Sequence, residues 1–289
     1  MMNRYLKYLI IIFLANCLRG NPIKEIFIDG GTRALSMGGA YTSVSDGADA
    51  VFWNPANIHL DRKVELAGNY SLMYSVDGLF NYSSALAFNM GRIGNLAVGW
   101  NELLLSDIYN ENLLMLGFRR KIYNNLYFGA VIKSLIISAP GYSKYNDAGF
   151  SEKKLFLTGD IGMTYNILSN LKVSTVLKNI TSPYVSLISS TGEKDKMMRK
   201  FILGASVLIR KRLILSMDFD VSGEKYQKLN LNIGSEIRFF NALALRSGLN
   251  NGRLGLGMGL FAKRWAVDFG LLSNKILGNK YQFSIKLRY

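Results

Sequence analysis

One cysteine, one histidine and four prolines are all that 289 residues contain of those types. The lone cysteine, Cys17, rules out an internal disulfide and any sulfur-rich metal site. With His59 as the only histidine, zinc ligation is excluded and Ser–His or Cys–His catalysis has one conceivable base. That residue follows an N-P-A tripeptide and reads as a turn residue. Long apolar runs are missing too. Hydrophobic residues make up 49% of the chain, yet none of their stretches reaches the roughly 20 residues that a membrane-spanning helix requires.

The nearest candidate, residues 8–15 (YLIIIFLA), follows Arg4 and Lys7 and precedes Asn16. A basic start, a short apolar core and small residues beyond it have the form of a secretory signal. Residues 1–20 are therefore expected to be removed, with cleavage after Cys17 or after Gly20. LANC (residues 14–17) resembles a loose lipobox that would leave Cys17 acylated, although Asn before the cysteine is atypical.

Acidic residues are scarce beside basic ones, and the net charge is +15, of which Arg4, Lys7 and Arg19 contribute three. Nucleic acid is not the expected partner. The basic residues are scattered over many short turns between segments that are apolar at every second position. Anionic lipid head groups account for that distribution.

What the chain has in quantity is alternation. From Lys63 onward a unit of about ten residues alternating in polarity, then a turn, repeats; this is the pattern of a transmembrane strand with one face toward lipid. In 154–167, Leu155, Leu157, Ile161, Met163 and Tyr165 oppose Thr158, Asp160, Thr164 and Asn166. In 212–222, Leu213, Leu215, Met217, Phe219 and Val221 oppose Ser216, Asp218 and Asp220. In 226–239, Leu229, Leu231, Ile233 and Ile237 oppose Asn230, Asn232, Glu236 and Arg238. The whole series predicts fourteen strands: 63–75, 80–90, 95–106, 112–121, 125–138, 154–167, 170–180, 198–210, 212–222, 226–239, 242–250, 253–262, 264–273 and 280–289. Turns after even strands are tight, whereas the two longest linkers, 139–153 and 181–197, follow odd strands. Short periplasmic turns and longer external loops are the rule for outer-membrane barrels. The expected fold is all-β: a transmembrane, 14-stranded, antiparallel up-and-down β-barrel over 63–289.

The final strand ends the chain on an aromatic. Tyr281, Phe283, Ile285, Leu287 and Tyr289 alternate with polar residues, which resembles the assembly signal read by the barrel-insertion machinery. As the edge of a soluble sandwich the same strand would expose a long apolar edge, which soluble proteins avoid. Gly255, Gly257 and Gly259 alternate with leucine and methionine, so GRLGLGMG (residues 252–259) is a strand with a bare inner face; a phosphate loop would need a strand–turn–helix. Asp218, Asp220, Glu236 and Asp268 are expected to face the lumen among Arg238, Arg246, Lys286 and Arg288. They read as a satisfied polar interior, and no catalytic set, metal site or cofactor is expected.

Residues 21–62 do not follow the strand rhythm. Gly30–Gly31 and Gly38–Gly39 break the chain, Ser45 and Asp46 are placed to cap a short helix over 48–52, and Pro55 stops it. A compact, turn-rich piece before a wide barrel is most economically placed inside it, as a plug. Trp53, Asn54 and Pro55 are expected to lie inside the barrel against the glycine-lined strand 253–262 and its neighbours, where bare glycines admit another backbone.

The run GTRALSMGGAYTSVSDGADAVFWNPA (residues 31–56) resembles the N-terminal signature of PorV/PorQ-like outer-membrane proteins, which belong with the FadL-type long-chain fatty-acid channels. The matching positions are Gly31, Arg33, the Met37-Gly38-Gly39 turn with Ala40, Asp46, Asp49, Trp53, Asn54, Pro55 and Ala56. The resemblance implies a hatch inside a fourteen-stranded barrel of the bacterial outer membrane, with Asn54 hydrogen-bonding its turn and Trp53 on the inner wall. It also implies one of two functions. FadL-like members pass hydrophobic molecules inward; PorV-like members hold exported cargo for the type IX secretion system. A conduit for small hydrophobic compounds needs only a barrel and a movable hatch, and is the leading expectation. Docking of secreted protein cargo is the alternative, and an outer-membrane enzyme is a weaker third reading because His59 lies outside the strands.

Overall fold

A computed structural model describes residues 30–74, 76–106, 108–140, 152–185, 196–222, 228–240, 242–275 and 278–289. The expected signal segment, Cys17 and most of the two long linkers lie outside the described residues. Fourteen strands follow one another along the chain. They are β1 (Val64–Leu72), β2 (Leu79–Asn89), β3 (Asn95–Leu105), β4 (Tyr109–Tyr123), β5 (Leu126–Ser138), β6 (Lys153–Leu168) and β7 (Leu171–Lys178). The second half comprises β8 (Lys200–Ile209), β9 (Leu213–Ser222), β10 (Lys228–Phe239), β11 (Leu243–Asn250), β12 (Arg253–Phe261), β13 (Trp265–Leu272) and β14 (Lys280–Arg288).

Each strand pairs antiparallel with its neighbours in sequence, and β14 returns to β1, so the sheet is a closed barrel. Closure leaves no unpaired edge. The final pair holds Leu66 opposite Leu287 and Tyr70 opposite Phe283, and Tyr289 extends it by exchanging backbone hydrogen bonds with Val64. Strand β4 starts three residues before its expected position and runs on to Tyr123. Its N-terminal end stays paired with β3 as far as Leu105–Tyr109, and its other end is carried past Lys121 by a β-bulge.

The alternation has a physical destination on each face. Ile132, Leu155, Leu157 and Leu229 are each 60% or more exposed. Similar outward leucine, isoleucine, methionine and phenylalanine side chains occur on strand after strand around the wall. An apolar belt of that extent would aggregate in water; in hydrocarbon it is the solvated face. One end of the barrel, here the terminal end, holds Lys63, Tyr289 and the tight turns. The other, the loop end, holds the linkers after β5 and β7.

Residues 30–60 are almost entirely buried against inward-facing side chains. A positive φ of 94° at Gly31 turns the chain into α1 (Thr32–Ser36). Gly38 and Gly39, with φ of 63° and 77°, end it. The Gly39 amide bonds back to the Ala34 carbonyl at 2.9 Å, the reversal that glycine supplies beyond a helix C-terminus. A second short helix, α2 (Ala50–Trp53), stops where Asn54 turns extended ahead of Pro55. A 3₁₀ turn, Pro55–Asn57, follows. The cap differs from expectation: Asp49 occupies the N-cap position of α2 with no side-chain cap bond. Asp46 instead pairs with Arg33, and the Ser45 hydroxyl accepts from Asn57. Buried charge and amide partners outcompete an exposed-helix capping preference.

Candidate functional site

The interface between residues 30–60 and the inner wall is the richest concentration of buried polar chemistry among the described residues. At the terminal end its centre is Glu236 on β10, fully buried. Arg33 grips it with two bonds, Nε to Oε2 at 2.6 Å and Nη2 to Oε1 at 3.0 Å. Arg246 and Arg238 each donate to the same carboxylate at 2.7 Å. Arg246 also reaches Asp268 at 2.5 Å, and Arg33 reaches Asp46 at 3.0 Å. Lys286 lies 2.8 Å from Asp49 and 3.9 Å from Asp46, and Arg288 pairs with Glu65 at 2.8 Å. Glu65 in turn accepts from the Ala48 amide at 2.8 Å. Five cations thus meet five carboxylates, and no net charge is left stranded in low dielectric.

The charge states of the N-terminal segment follow from this packing. Burial works against the Arg33 charge, but Glu236, Tyr41 and Asp46 outweigh it and raise its pKa well above normal. For Asp46, desolvation pushes upward while Arg33 and then Lys286 pull harder, holding it well below the usual carboxylate range. Burial pushes the Tyr41 phenol up to about 12. Burial and then the Arg119 guanidinium push His59 down, which keeps it neutral near pH 7.

Around the rest of the lumen the wall's side chains satisfy the segment's backbone, as buried peptide groups require. Asp218 accepts from the Tyr41 and Thr42 amides at 2.9 and 2.8 Å. Ser216 donates to the Ala40 carbonyl, and Asn250 to the Gly38 carbonyl. Arg119 donates to the Ala56 carbonyl at 2.9 Å, Asn95 to Ile58 at 2.6 Å and Lys178 to Phe52 at 3.0 Å. Asn54 is fully engaged: its amide donates to the Thr42 carbonyl and to Thr164, and its carbonyl accepts from the Ala56 amide. Trp53 donates its ring N–H to the Gly30 carbonyl and meets Tyr41 edge-on at 5.6 Å, with the Lys178 ammonium 5.2 Å above its ring.

Inward-facing glycines let these backbones touch the wall. A methyl group at Gly129 would fall 2.2 Å from the Pro55 carbonyl carbon, and one at Gly248 2.2 Å from that of Met37. This corrects one expectation. The segment from Asn54 to Ala56 lies against Gly129 and Gly162 on β5 and β6, across from the glycine strand β12. Gly255 and Gly257 receive Leu35 and Ser36 of α1 instead. The bare glycines on β5 and β6 accommodate the proline turn, while those on β12 and β13 accommodate a helix. Gly259 faces neither, because the Asp268–Arg246 pair covers it.

Of the residues expected in the lumen, Asp218, Asp220, Glu236, Arg246, Asp268 and Lys286 are buried; Arg238 and Arg288 are part-exposed at the terminal end. Phe283, Ile285 and Tyr289 face outward, Leu287 is half-buried, and the Phe283 ring packs 5.0 Å from Phe269. Glu65, Arg119 and Lys178 are contact residues that the sequence reading did not single out. The inward parity of their strands was the available signal. Among the described residues no group of three histidine, cysteine, aspartate or glutamate side chains is placed to hold a metal ion.

The inner wall is not polar throughout. On β4 and β5, Leu113, Met115, Val131, Leu135 and Ile137 face inward, fully buried, and form one cluster with Val51, Phe52 and Ile58 of the segment. Val185 and Met197 from the linker after β7 join that cluster, with Tyr109 and Phe156 at its margin. Lys133, in the same row of β5, is neutralised by Asp160 at 2.6 Å.

No protein-family model matches the chain, and no curated protein matches its sequence. Solved structures do. The CymD monoaromatic hydrocarbon channel superposes with a TM-score of 0.66 at 12% identity, over 92% of this chain and 99% of that one. A Pseudomonas aeruginosa FadL homologue gives 0.60 at 11%, over 93% and 99%. The Pseudomonas putida toluene transporter TodX gives 0.54 at 14%, over 93% and 97%. Identities this low establish a shared fold.

Proposed function

We propose that this chain is a bacterial outer-membrane conduit for small hydrophobic compounds, in which residues 21–62 form a hatch that closes the barrel and must shift for passage. Residues 1–20 are its export signal, the terminal end faces the periplasm, and Phe283 to Tyr289 serve the insertion machinery. The observation that carries the reading is the apolar stripe on β4 and β5. Barrel interiors are ordinarily polar, and a water-filled pore gains nothing from burying Leu113, Leu135 and Ile137. A stripe that descends from the loop end to Val51 and Phe52 suits an apolar solute travelling toward the hatch. The likeness to hydrocarbon channels in fold supports the same reading.

The test is uptake of an apolar fluorescent dye by cells with an intact outer membrane, with and without the chain. Leu135→Gln combined with Ile137→Gln is expected to lower uptake severalfold while heat-modifiable gel mobility reports an unchanged barrel. Uptake equal to the parent would remove the stripe from the pathway.

The 26-residue likeness at 31–56 to PorV-like proteins sustains a second reading, docking of secreted cargo. Loss of surface proteins from a strain lacking the chain, with dye uptake unaltered, would favour it.

A further inference from the structure

A cavity of about 400 Å³ lies on the opposite side of the lumen from the apolar stripe, and its lining is polar. Its wall is set by register. Asp220 stands opposite Asn230 and Asp218 opposite Asn232 across β9 and β10, and Asn232 stands opposite Asn250 across β10 and β11. All five alternate inward, so three strands present one continuous row of amides and carboxylates. Gly39, Thr42 and Trp53 of the N-terminal segment form the facing side, with Lys178 and Asn179 completing the rim.

We infer that this cavity is a binding site for a neutral polyhydroxylated molecule of mono- or disaccharide size. A volume of 400 Å³ falls within the roughly 300–1,000 Å³ of small-molecule pockets. The chemistry of the lining selects the class. Its charged groups are already engaged: Lys178 on the Phe52 carbonyl, Lys200 3.8 Å from Asp220, Arg253 on Asn250, and one Asp218 oxygen on two backbone amides. Three cations and two carboxylates line the cavity, a nearly balanced set that offers a charged ligand little net attraction. Asn250 is engaged at both ends and the Asn230 oxygen accepts from Asn251, so what remains is the Asn232 amide and the Asn230 amino group; an amide donates and accepts at once, as a hydroxyl does. One acceptor, Asn232 Oδ1, is buried with no hydrogen-bond partner among the described residues. Unsatisfied buried acceptors cost free energy until a donor arrives, and sugar hydroxyls are donors. The site stands independently of the apolar pathway, since it shares no wall residue with the β4–β5 stripe.

Isothermal titration of the purified full chain in detergent with glucose, sucrose and maltose tests the assignment, with glucuronate and glucosamine as charged counterparts. Saturable binding of at least one neutral sugar is expected, weakened tenfold or more by Asn232→Leu and by Asn230→Leu. Asn232→Gln should recover part of the loss. Dye uptake should be unchanged by these variants. No saturable binding of any of the three neutral sugars would make the cavity a water-filled vestibule and overturn the inference. Equal or tighter binding of the charged counterparts would overturn the ligand class. The titration of the parent chain decides both points even if a variant fails to fold.

Discussion

Replacing Arg33 by methionine keeps most of the side-chain volume and removes one charge from the most connected point of the interior. The residue is 6% exposed and Glu236 is fully buried. Losing hydrogen bonds to a charged group costs about 1.5–3 kcal/mol, and neither survivor becomes a stranded buried charge, because Glu236 keeps two arginines and Asp46 is half-exposed. Here the loss is unevenly shared. Glu236 retains Arg238 and Arg246 at 2.7 Å, whereas Asp46 retains only Lys286 at 3.9 Å. The fourteen-strand ladder does not depend on Arg33, so the cost falls on the docked state of residues 30–60 and not on the barrel. At about 1.4 kcal/mol per tenfold, the population with that segment undocked should rise roughly tenfold to a hundredfold. Hydrogen exchange is the assay. The Tyr41 and Thr42 amides, bonded to Asp218, should lose protection by that factor while β-strand amides keep theirs. A Glu236→Gln variant and the double variant complete a cycle whose coupling energy isolates the pair. Unchanged protection at Tyr41 and Thr42 in Arg33→Met would refute the reasoning that charge holds the segment in place.

Other consequences are equally direct. Gly129→Val places a side chain where 2.2 Å separates the new Cβ from the Pro55 carbonyl carbon; overpacking of about 1–3 kcal/mol should lower the thermal midpoint, and a midpoint equal to the parent's would contradict the close approach. His59 has a depressed pKa when docked, so its contribution is fully present above the ordinary value near 6.5 and declines as pH falls toward the depressed one. Protection factors of the amides of residues 47–57, referred to the intrinsic exchange rate at each pH, should therefore fall in mild acid, by less in His59→Gln; an unaltered pH profile in that variant would assign the effect elsewhere. Deleting Tyr289, which is exposed and caps the β1–β14 seam, should reduce the amount of folded barrel in the membrane, and normal accumulation would show that the terminal aromatic is no assembly signal.

The barrel was legible because alternation at period two is imposed by the two faces themselves. Leu155 and Leu157 outward against Thr158 and Asp160 inward can be read without knowing any partner strand. Strand number followed, and so did the inward parity of Asp218, Glu236 and Lys286. Contacts across the lumen were not legible. Nothing in the chain near Asn54 says that Gly129 and Gly162 receive it, because those glycines and the ones on β12 look alike in sequence. Arg33 and Glu236 lie 203 positions apart, and their pairing depends on where α1 settles. Helix α1 was not legible at all, since five residues between glycines carry too little periodicity to mark a helix. The Asn230–Asn232–Asn250 row was visible as separate polar positions, and only strand register joins them into a wall.

The claim that residues 21–62 close a conduit is tested most directly by planar-bilayer conductance of a chain lacking residues 21–56, purified as a folded barrel. The parent should be nearly silent, because its lumen is packed by that segment. The deletion should show large, persistent ion-conducting openings. A correctly folded deletion as tight as the parent would mean that something else fills the lumen, and the account of a movable hatch would fail.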